Sequence, residues 1–392
     1  MPPSSPNSIR VLRIITRMNI GGPSRQAGLL TQYTSDNITT RLLYGKVASG
    51  EKEDTMQLNP LGEKAKFIKG LGRSIHFGED LITFFRILFE ILKYKPHVVH
   101  THMAKAGALG RIAAWIAGVP VIMHTYHGHV FTGYFSARKS KIIILIEQCL
   151  AMISTRLITI SKSQQSDILD IYHIGKLPQQ IILPLGLQLD SLQTLTKHQA
   201  MQFRLRHKLN ASAQLIIWAG RLTEIKQPIL AIETIQALQK INGLPEWQLV
   251  IAGDGELYSA VSQRIEELGL SDKIKMISWE TDIPGLWSAA SVALLTSKQE
   301  GTPVSLIEAM AAGVPWVSTA VGGIPDITPN FLRESLCSEN PNQLADAIAY
   351  WLVTPPHAEE LKKYAWDHFD IVRLRKEIKE LYTHCLAEKG IQ

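Results

Sequence analysis

The stretch HVVHTHMAKAGALGRIAAWIAGVPVIMHTY (97–126) holds two apolar runs, HVVHTH (97–102) and VPVIMHTY (119–126), on either side of an amphipathic segment at 105–117. Short apolar runs separated by a helical repeat are the pattern of parallel βαβ units, whose strands are buried between helices. The pattern recurs in both directions. In the first half, strands are expected at 10–16, 97–102, 119–126, 156–161 and 180–185, with helices at 24–34, 79–94, 105–117, 138–154 and 161–171. A second series has strands at 214–220, 247–255, 273–278, 292–297 and 314–320, with helices at 226–240, 257–268, 284–290, 303–312 and 341–353. The chain is therefore read as α/β, with two successive doubly wound sheets. Hydrophobic periodicity lapses in LQLDSLQTLTKHQ (187–199), which divides an N-terminal domain at 1–187 from a C-terminal domain at 188–358. A last helix at 359–388 has no strand to follow it, and the segment 359–392 is expected to pack back on the N-terminal domain.

Bulk properties bound the function. A chain of 392 residues, 45% hydrophobic and 19% charged, suits a globular protein of two domains. Cys149, Cys337 and Cys385 stand in no paired spacing, which argues against a disulfide framework or a zinc site and suits a reducing compartment. Neither a charged segment leading into an apolar run at the start nor a run of about 18 uncharged apolar residues occurs, so no signal peptide or membrane span is expected and the location is read as cytoplasmic. The net charge of +6 is uneven: residues 1–186 hold 22 Lys+Arg against 11 Asp+Glu, and residues 187–392 hold 19 against 24. A basic half points to an anionic partner. No dense basic stripe with interleaved aromatics marks a nucleic-acid reader. That leaves an anionic membrane surface or a phosphorylated lipid, set against plain solvated charge.

Ligands of doubly wound sheets bind at the carboxyl ends of the strands, and residues with chemistry to offer follow the strands here. Strand 214–220 runs into AGRLTEIKQP, where Arg221 and Lys226 either hold a diphosphate beside helix N-termini or are two solvated cations. Strand 247–252 ends in Gly253-Asp254-Gly255, a close-approach loop or a plain turn. In EGTPVSLIEAMAAG (300–313), Thr302 and Pro303 read as the N-cap and first-turn proline of a helix. Glu300 then lies in the loop before the helix, and Glu308 lies about 8–9 Å further along its axis at about 1.5 Å per residue. Two carboxylates about 5–9.5 Å apart would also suit a glycosidase. A nucleotide-sugar site uses one for sugar hydroxyls and the other for ribose hydroxyls, with the helix start at Gly301, Thr302, Pro303, Val304 and Ser305 aimed at phosphates. Gly322-Gly323 form another glycine loop on the same edge.

GRLTEIKQ, GDGEL, EGTPVSLIEAMAAGVP and VGGIPDI occur in this order and resemble the donor domain of retaining glycosyltransferases of family 4, whose E-x7-E signature falls at Glu300 and Glu308. The resemblance spans residues 10 to 385. It implies the GT-B fold, in which two Rossmann-like domains face across a cleft, the first binding acceptor and the second the nucleotide-sugar donor. The implied reaction moves a hexosyl or N-acetylhexosaminyl group from a nucleotide diphosphate-sugar, a UDP-sugar by subgroup, to a hydroxyl acceptor with retention. On this reading Arg221 and Lys226 stabilise the departing diphosphate, Glu300 meets the donor sugar, Glu308 the ribose, and His127 in HTYHG approaches the sugar. Gly21 and Gly22, with Ser24 as N-cap, resemble the glycine loop that faces donor phosphates. No D-x-D occurs, so no metal is indicated, and no cofactor is expected.

Lys105-Ala106-Gly107 resembles a subgroup that acts on UDP-sugars and makes bacterial surface polysaccharides, which implies a lipid-linked or saccharide acceptor. His100 reads as a core residue, with His102 expected on the opposite face of the strand. The chain departs from the usual family pattern at Pro184-Leu185-Gly186, Ser278 and Ser291, none of which touches the charged elements. Rival readings are an isomerase like the UDP-sugar 2-epimerases, which usually lack E-x7-E, and a non-catalytic nucleotide-sugar binding protein. The apolar segments 81–92 and 138–154, the second opened by Arg138, Lys139 and Lys141, are either core helices or interfacial ones. With the basic half they raise peripheral contact with an anionic membrane, at the inner face of the plasma membrane.

Overall fold

A computed structural model describes residues 8–33, 37–128, 137–354 and 358–391. The chain forms two compact units, Met1–Leu187 with Ile371–Gln392, and Gln188–Asp370.

The first unit is built on a parallel sheet of β1 (Ile9–Ile15), β2 (Ile38–Tyr44), β3 (Ala65–Phe67), β4 (Val98–His102), β5 (Val121–Tyr126), β6 (Arg156–Thr159) and β7 (Gln180–Ile182), in the order β3-β2-β1-β4-β5-β6-β7. The register sets Arg13 beside His100 and Ile15 beside His102, with Met123 and Thr125 next across β5. Alternate residues serve opposite faces. Val11, Val98, Val121 and Met123 pack under helices Gly22–Gln32 and Ile371–Ala387, while Leu12, Ile14, Val99 and Ile122 pack under Phe77–Tyr94 and Ala104–Ile116. Coverage on both faces explains why these strands read as unbroken apolar runs. Leu374 and Ile378, at most 1% exposed, tie the last helix to this core, each burial contributing about 1.5–3 kcal/mol.

The second unit has β8 (Gln214–Ala219), β9 (Trp247–Ala252), β10 (Ile274–Ile277), β11 (Ala290–Leu295), β12 (Trp316–Thr319) and β13 (Leu336–Cys337), all parallel, in the order β10-β9-β8-β11-β12-β13. Both units are Rossmann-like.

Three strands were not expected. β2 carries ITTRLLY, too polar at its start to form an apolar run, and β3 and β13 are edge strands of three and two residues. The expected single helix at 359–388 is two, Ala358–Phe369 and Ile371–Ala387, separated at Asp370. The first stays with the second unit, so the segment that joins the first unit begins at Ile371 rather than at 359. Ile371 N–H donates to Leu187 O at 2.9 Å, which returns the chain to the residue where it left. The expected helix at 161–171 is a short α-helix, Lys162–Ser166, that widens into a π turn over Asp167–Ile171. The expected end of the first helix at Thr34 lies outside the described residues.

Helices Phe77–Tyr94 and Ala137–Met152 are not packed on both sides: Ile87 and Ile91 of the first and Leu150 and Ala151 of the second lie in the core, and the opposite face is open. On one face of the first sheet they and Ala104–Ile116 turn large apolar side chains outward, among them Phe85 (57% exposed), Phe89 (63%), Trp115 (59%) and Leu145 (60%). Exposed Arg86, Lys93, Lys139 and Lys141 stand among them. Beneath, Arg111 on the middle helix makes a buried pair with Glu147 at 2.7 Å, and the Tyr126 hydroxyl donates to the same carboxylate at 2.8 Å. Among the described residues no helix is long and apolar enough to cross a membrane.

Candidate functional site

In the second unit the strand order reverses between β8 and β11, so the loops leaving their carboxyl ends diverge and open a crevice. Lys226 follows β8 and Glu300 follows β11. Glu300 Oε1 accepts from the Lys226 ammonium and, at 2.6 Å, from Ser297 Oγ. The Glu300 side chain is 9% exposed and that of Lys226 22%, so the pair is sheltered but open on one side. The lysine loop is held from behind. Trp218 Nε1 donates to Thr296 Oγ1 at 2.9 Å, and that hydroxyl reaches the carbonyls of Lys226 at 3.1 Å and Gln227 at 2.8 Å. Arg221 is exposed and has no ion-pair partner among the described residues.

The glycine motifs act on backbone. A Cβ on Gly253 would lie 1.9 Å from Gly220 O, and one on Gly322 would lie 1.9 Å from Glu300 O. Only glycine lets these loops close on the turns that carry the charged residues. Leu222 N–H donates to Asp254 O at 3.0 Å, and Asp254 Oδ1 accepts from Gly255 N–H at 2.8 Å, so the GDG loop braces the turn beside Arg221. Gly323 N–H donates to Glu300 O at 3.1 Å.

The helix after Glu300 spans Val304–Ala311, with Pro303 in the N-cap place. Thr302 therefore does not cap it; its hydroxyl is buried with no hydrogen-bond partner among the described residues, one residue too early to reach the first turn. Gly301, Val304 and Ser305 are part-exposed at the helix start. Glu308, 5% exposed, sits in the helix where Trp287 Nε1 donates to its Oε2 at 3.4 Å. The two glutamates thus occupy different surroundings, one against an ammonium and the other against a buried indole.

In the first unit the order reverses between β1 and β4. The turn after β1 carries Gly21 at the N-cap and Gly22 as first residue of helix Gly22–Gln32. Ser24, expected as the cap, lies inside the first turn with its hydroxyl donating to Arg17 O at 3.4 Å. Lys105 donates to Gly70 O at 3.1 Å and Ser74 O at 2.7 Å and pairs with Asp80, so it clamps the loop that leads into helix Phe77–Tyr94.

At the carboxyl ends of β4 and β5, His102 Nδ1 and His127 Nε2 are 2.9 Å apart. His100 and His102 share a face, as residues two apart on a strand must, and their rings stack at 4.5 Å; the expectation of opposite faces was wrong. His100 bonds Tyr382 Oη and Thr125 Oγ1, each at 2.7 Å, and Arg13 Nη2 donates to the same Tyr382 oxygen at 3.2 Å. Burial pushes the His127 imidazole down to about 3 and holds His100, His102 and His124 well below the ordinary histidine value. His127 is therefore a neutral hydrogen-bonding group at physiological pH, not an imidazolium. Among the described residues no group of three or more His, Cys, Asp or Glu side chains is placed to hold a metal ion.

Ser297, Thr296, His102 and Tyr382 were not singled out as site residues from sequence. Ser297 is the last residue of an expected strand, 292–297, the one cue that could have marked it; the others depend on strand adjacency.

Residues 202–368 match the family described as glycosyl transferases group 1, and residues 67–185 match the glycosyl transferase 4-like domain. The UDP-Gal:alpha-D-GlcNAc-diphosphoundecaprenol alpha-1,3-galactosyltransferase of Escherichia coli is 30% identical over 338 residues, covering 83% of this chain and 85% of that protein. The structure of Anabaena Alr3699/HepE in complex with UDP superposes with a TM-score of 0.79 at 18% identity, over 96% of this chain and 100% of that one. WaaG, a glycosyltransferase involved in lipopolysaccharide biosynthesis, gives 0.69 at 16% identity, again over 96% and 100%. At such identities the structural likeness speaks to the fold, which is GT-B.

Proposed function

The chain belongs to the group 1 glycosyl transferases of family 4, and we propose on that footing that it moves a sugar from a UDP-sugar to a hydroxyl of a lipid-linked saccharide, with retention at the anomeric carbon. The observation that carries this reading is the Lys226–Glu300–Ser297 assembly at the switch point of the second sheet, with Arg221 following the same strand and without an ion-pair partner among the described residues. Breaking the bond to a diphosphate puts negative charge on the leaving group. Arg221 and Lys226 supply the opposing charge, and preorganised donors of this kind act most strongly where water is sparse. The helix start at Gly301–Ser305 adds N–H groups to the same end. When Lys226 turns to the phosphates, Glu300 keeps Ser297 and is released to accept from sugar hydroxyls. Glu308 takes the ribose hydroxyls. Each unit brings its substrate-facing groups to the carboxyl edge of its own sheet, the first contributing the Gly21-Gly22 turn and neutral His127.

The test is a thermal-shift screen against UDP, GDP, ADP and their sugar conjugates, run beside Glu300→Ala. A ligand at about 100 times its dissociation constant adds about 2.7 kcal/mol. Uridine ligands should stabilise the wild type, and the variant should lose only the increment due to the sugar. Melting curves that no nucleotide moves would sink the donor-site reading. Product analysis with a UDP-sugar separates the rivals: transfer or slow hydrolysis, epimerisation, or a sugar returned unchanged.

The Escherichia coli relative acts, by its name, on a sugar carried by diphosphoundecaprenol, a polyprenyl carrier. The outward apolar face of the first unit suits a membrane surface. Phe85, Phe89, Trp115 and Leu145 reach the acyl boundary while Arg86, Lys93, Lys139 and Lys141 meet anionic headgroups. We propose an anionic bilayer as its occupant.

A further inference from the structure

We infer that His102 is a positioning residue that sets the tautomer of His127, so that His127 presents its Nδ1–H to a substrate oxygen. The tautomer follows from the first unit alone, and its use in the reaction rests on the glycosyl-transfer reading.

His102 ends β4, is fully buried, and shares one hydrogen bond with His127 across 2.9 Å. Both rings are neutral, so a single proton lies between His102 Nδ1 and His127 Nε2. Two arrangements exist. With the proton on His102 Nδ1, the second proton of the pair sits on His127 Nδ1, and His102 Nε2 is a bare lone pair. With the proton on His127 Nε2, the roles reverse: His102 Nε2 carries an N–H and His127 Nδ1 is bare. The two outer atoms, His102 Nε2 and His127 Nδ1, are buried and have no hydrogen-bond partner among the described residues.

The interior beside His102 decides between them. Arg13 lies on the same sheet face, one strand over, opposite His100 and two residues from the partner of His102. It is 1% exposed, and among the described residues its Nε and Nη1 have no acceptor and its one bond is the donation to Tyr382. An interior guanidinium without a counter-charge favours a lone pair on a neighbouring ring and disfavours a second N–H. The arrangement that leaves His102 Nε2 bare is therefore selected, and the His127 proton is sent to Nδ1. His100 follows the same field. Arg13 and Tyr382 leave the tyrosine proton to His100 Nδ1, so His100 Nε2–H goes to Thr125, and the ring on which His102 stacks is locked. Tyr382 comes from the last helix, so the return of the chain to the first unit completes the relay.

The test uses the full chain labelled with ¹⁵N-histidine. Long-range ¹H–¹⁵N spectra, with the His127 signals identified by their loss in His127→Asn, should show His127 protonated at Nδ1. A wild-type ring protonated at Nε2 overturns the inference without any His102 variant. His102→Asn keeps a polar atom near the Nδ1 position, and His102→Leu removes it. The Asn variant should hold the tautomer and most of the turnover. The Leu variant should show mixed tautomers, with kcat down about 10²-fold, the scale of losing one oriented donor, and donor KM unchanged. A tautomer that shifts while kcat does not overturns the role of His127 in transfer, and the nucleotide screen above judges the donor site separately.

Discussion

Gly322→Ala isolates the contact on which the Glu300 loop rests. Gly322 has φ 55°, and an added Cβ would lie 1.9 Å from Glu300 O, where real Cβ contacts essentially never fall below 3.0 Å. Something must then move by at least 1.1 Å, the difference between those distances, and the obstacle is backbone that cannot rotate aside. The displaced carbonyl belongs to the residue whose carboxylate meets Lys226 and Ser297. Misplacing a reacting group by about 1 Å costs about 10²-fold in rate. The left-handed backbone itself costs an L-residue about 1–2 kcal/mol. Gly243 separates the two effects, because it has φ 80° and nothing within 4 Å of its would-be Cβ. Gly243→Ala should lower the melting temperature by about 2–8 °C, at about 2–4 °C per kcal/mol, and leave kcat/KM intact. Gly322→Ala should lose at least as much in stability and about 10²-fold in kcat/KM for sugar transfer. A Gly322→Ala enzyme that turns over like the Gly243→Ala control would refute the claim that this loop contact positions Glu300.

Glu147→Gln should lower the urea midpoint sharply, because it strands Arg111 in the interior at a cost of about 3–5 kcal/mol, whereas an Arg111→Met, Glu147→Leu double variant should recover much of the loss. The buried histidines should make the fold acid-labile. His127 titrates at about 3 when folded against about 6.5 unfolded, so its contribution is complete above pH 6.5 and is lost at about 1.4 kcal/mol per pH unit as the pH falls toward 3. His100, His102 and His124 shift in the same direction, and a urea midpoint that stays constant from pH 7.5 to 5 would contradict their neutral burial. Co-sedimentation with anionic vesicles should weaken as salt rises and fail for Phe85→Ser with Phe89→Ser; binding that ignores both changes would place the membrane surface elsewhere.

The runs that became β1, β4, β5, β8 and β9 were readable because helices bury both faces, which forces nearly every residue to be apolar. The same logic explains the omissions. β3 and β13 are edge strands too short to show a period, and β2 spends its first residues on Thr39, Thr40 and Arg41. Arg221, Lys226 and Glu300 were visible as charges placed directly after strands. Thr296, which anchors the Lys226 loop, and Ser297, which shares Glu300, were not, because their roles exist only once β8 and β11 lie side by side. His102 was set on the wrong face by a misapplied period, and its link to His127 needs the neighbouring strand as well.

The glycine loops show most clearly what a one-dimensional reading misses. From sequence, GDG reads as a close-approach loop or a plain turn, and VGG as another glycine loop on the same edge. In the fold the space left by two of their missing side chains is filled by protein, Gly220 O against Gly253 and Glu300 O against Gly322. Each glycine motif therefore belongs to a charged motif on an adjacent strand: GDG to the turn of Arg221 and Lys226, and VGG to the loop of Glu300. Charges alone after these strands would leave flexible side chains at a sheet edge. Loops pressed together at backbone distance hold them at the switch point, which is the preorganisation that the proposed departure of a diphosphate would require.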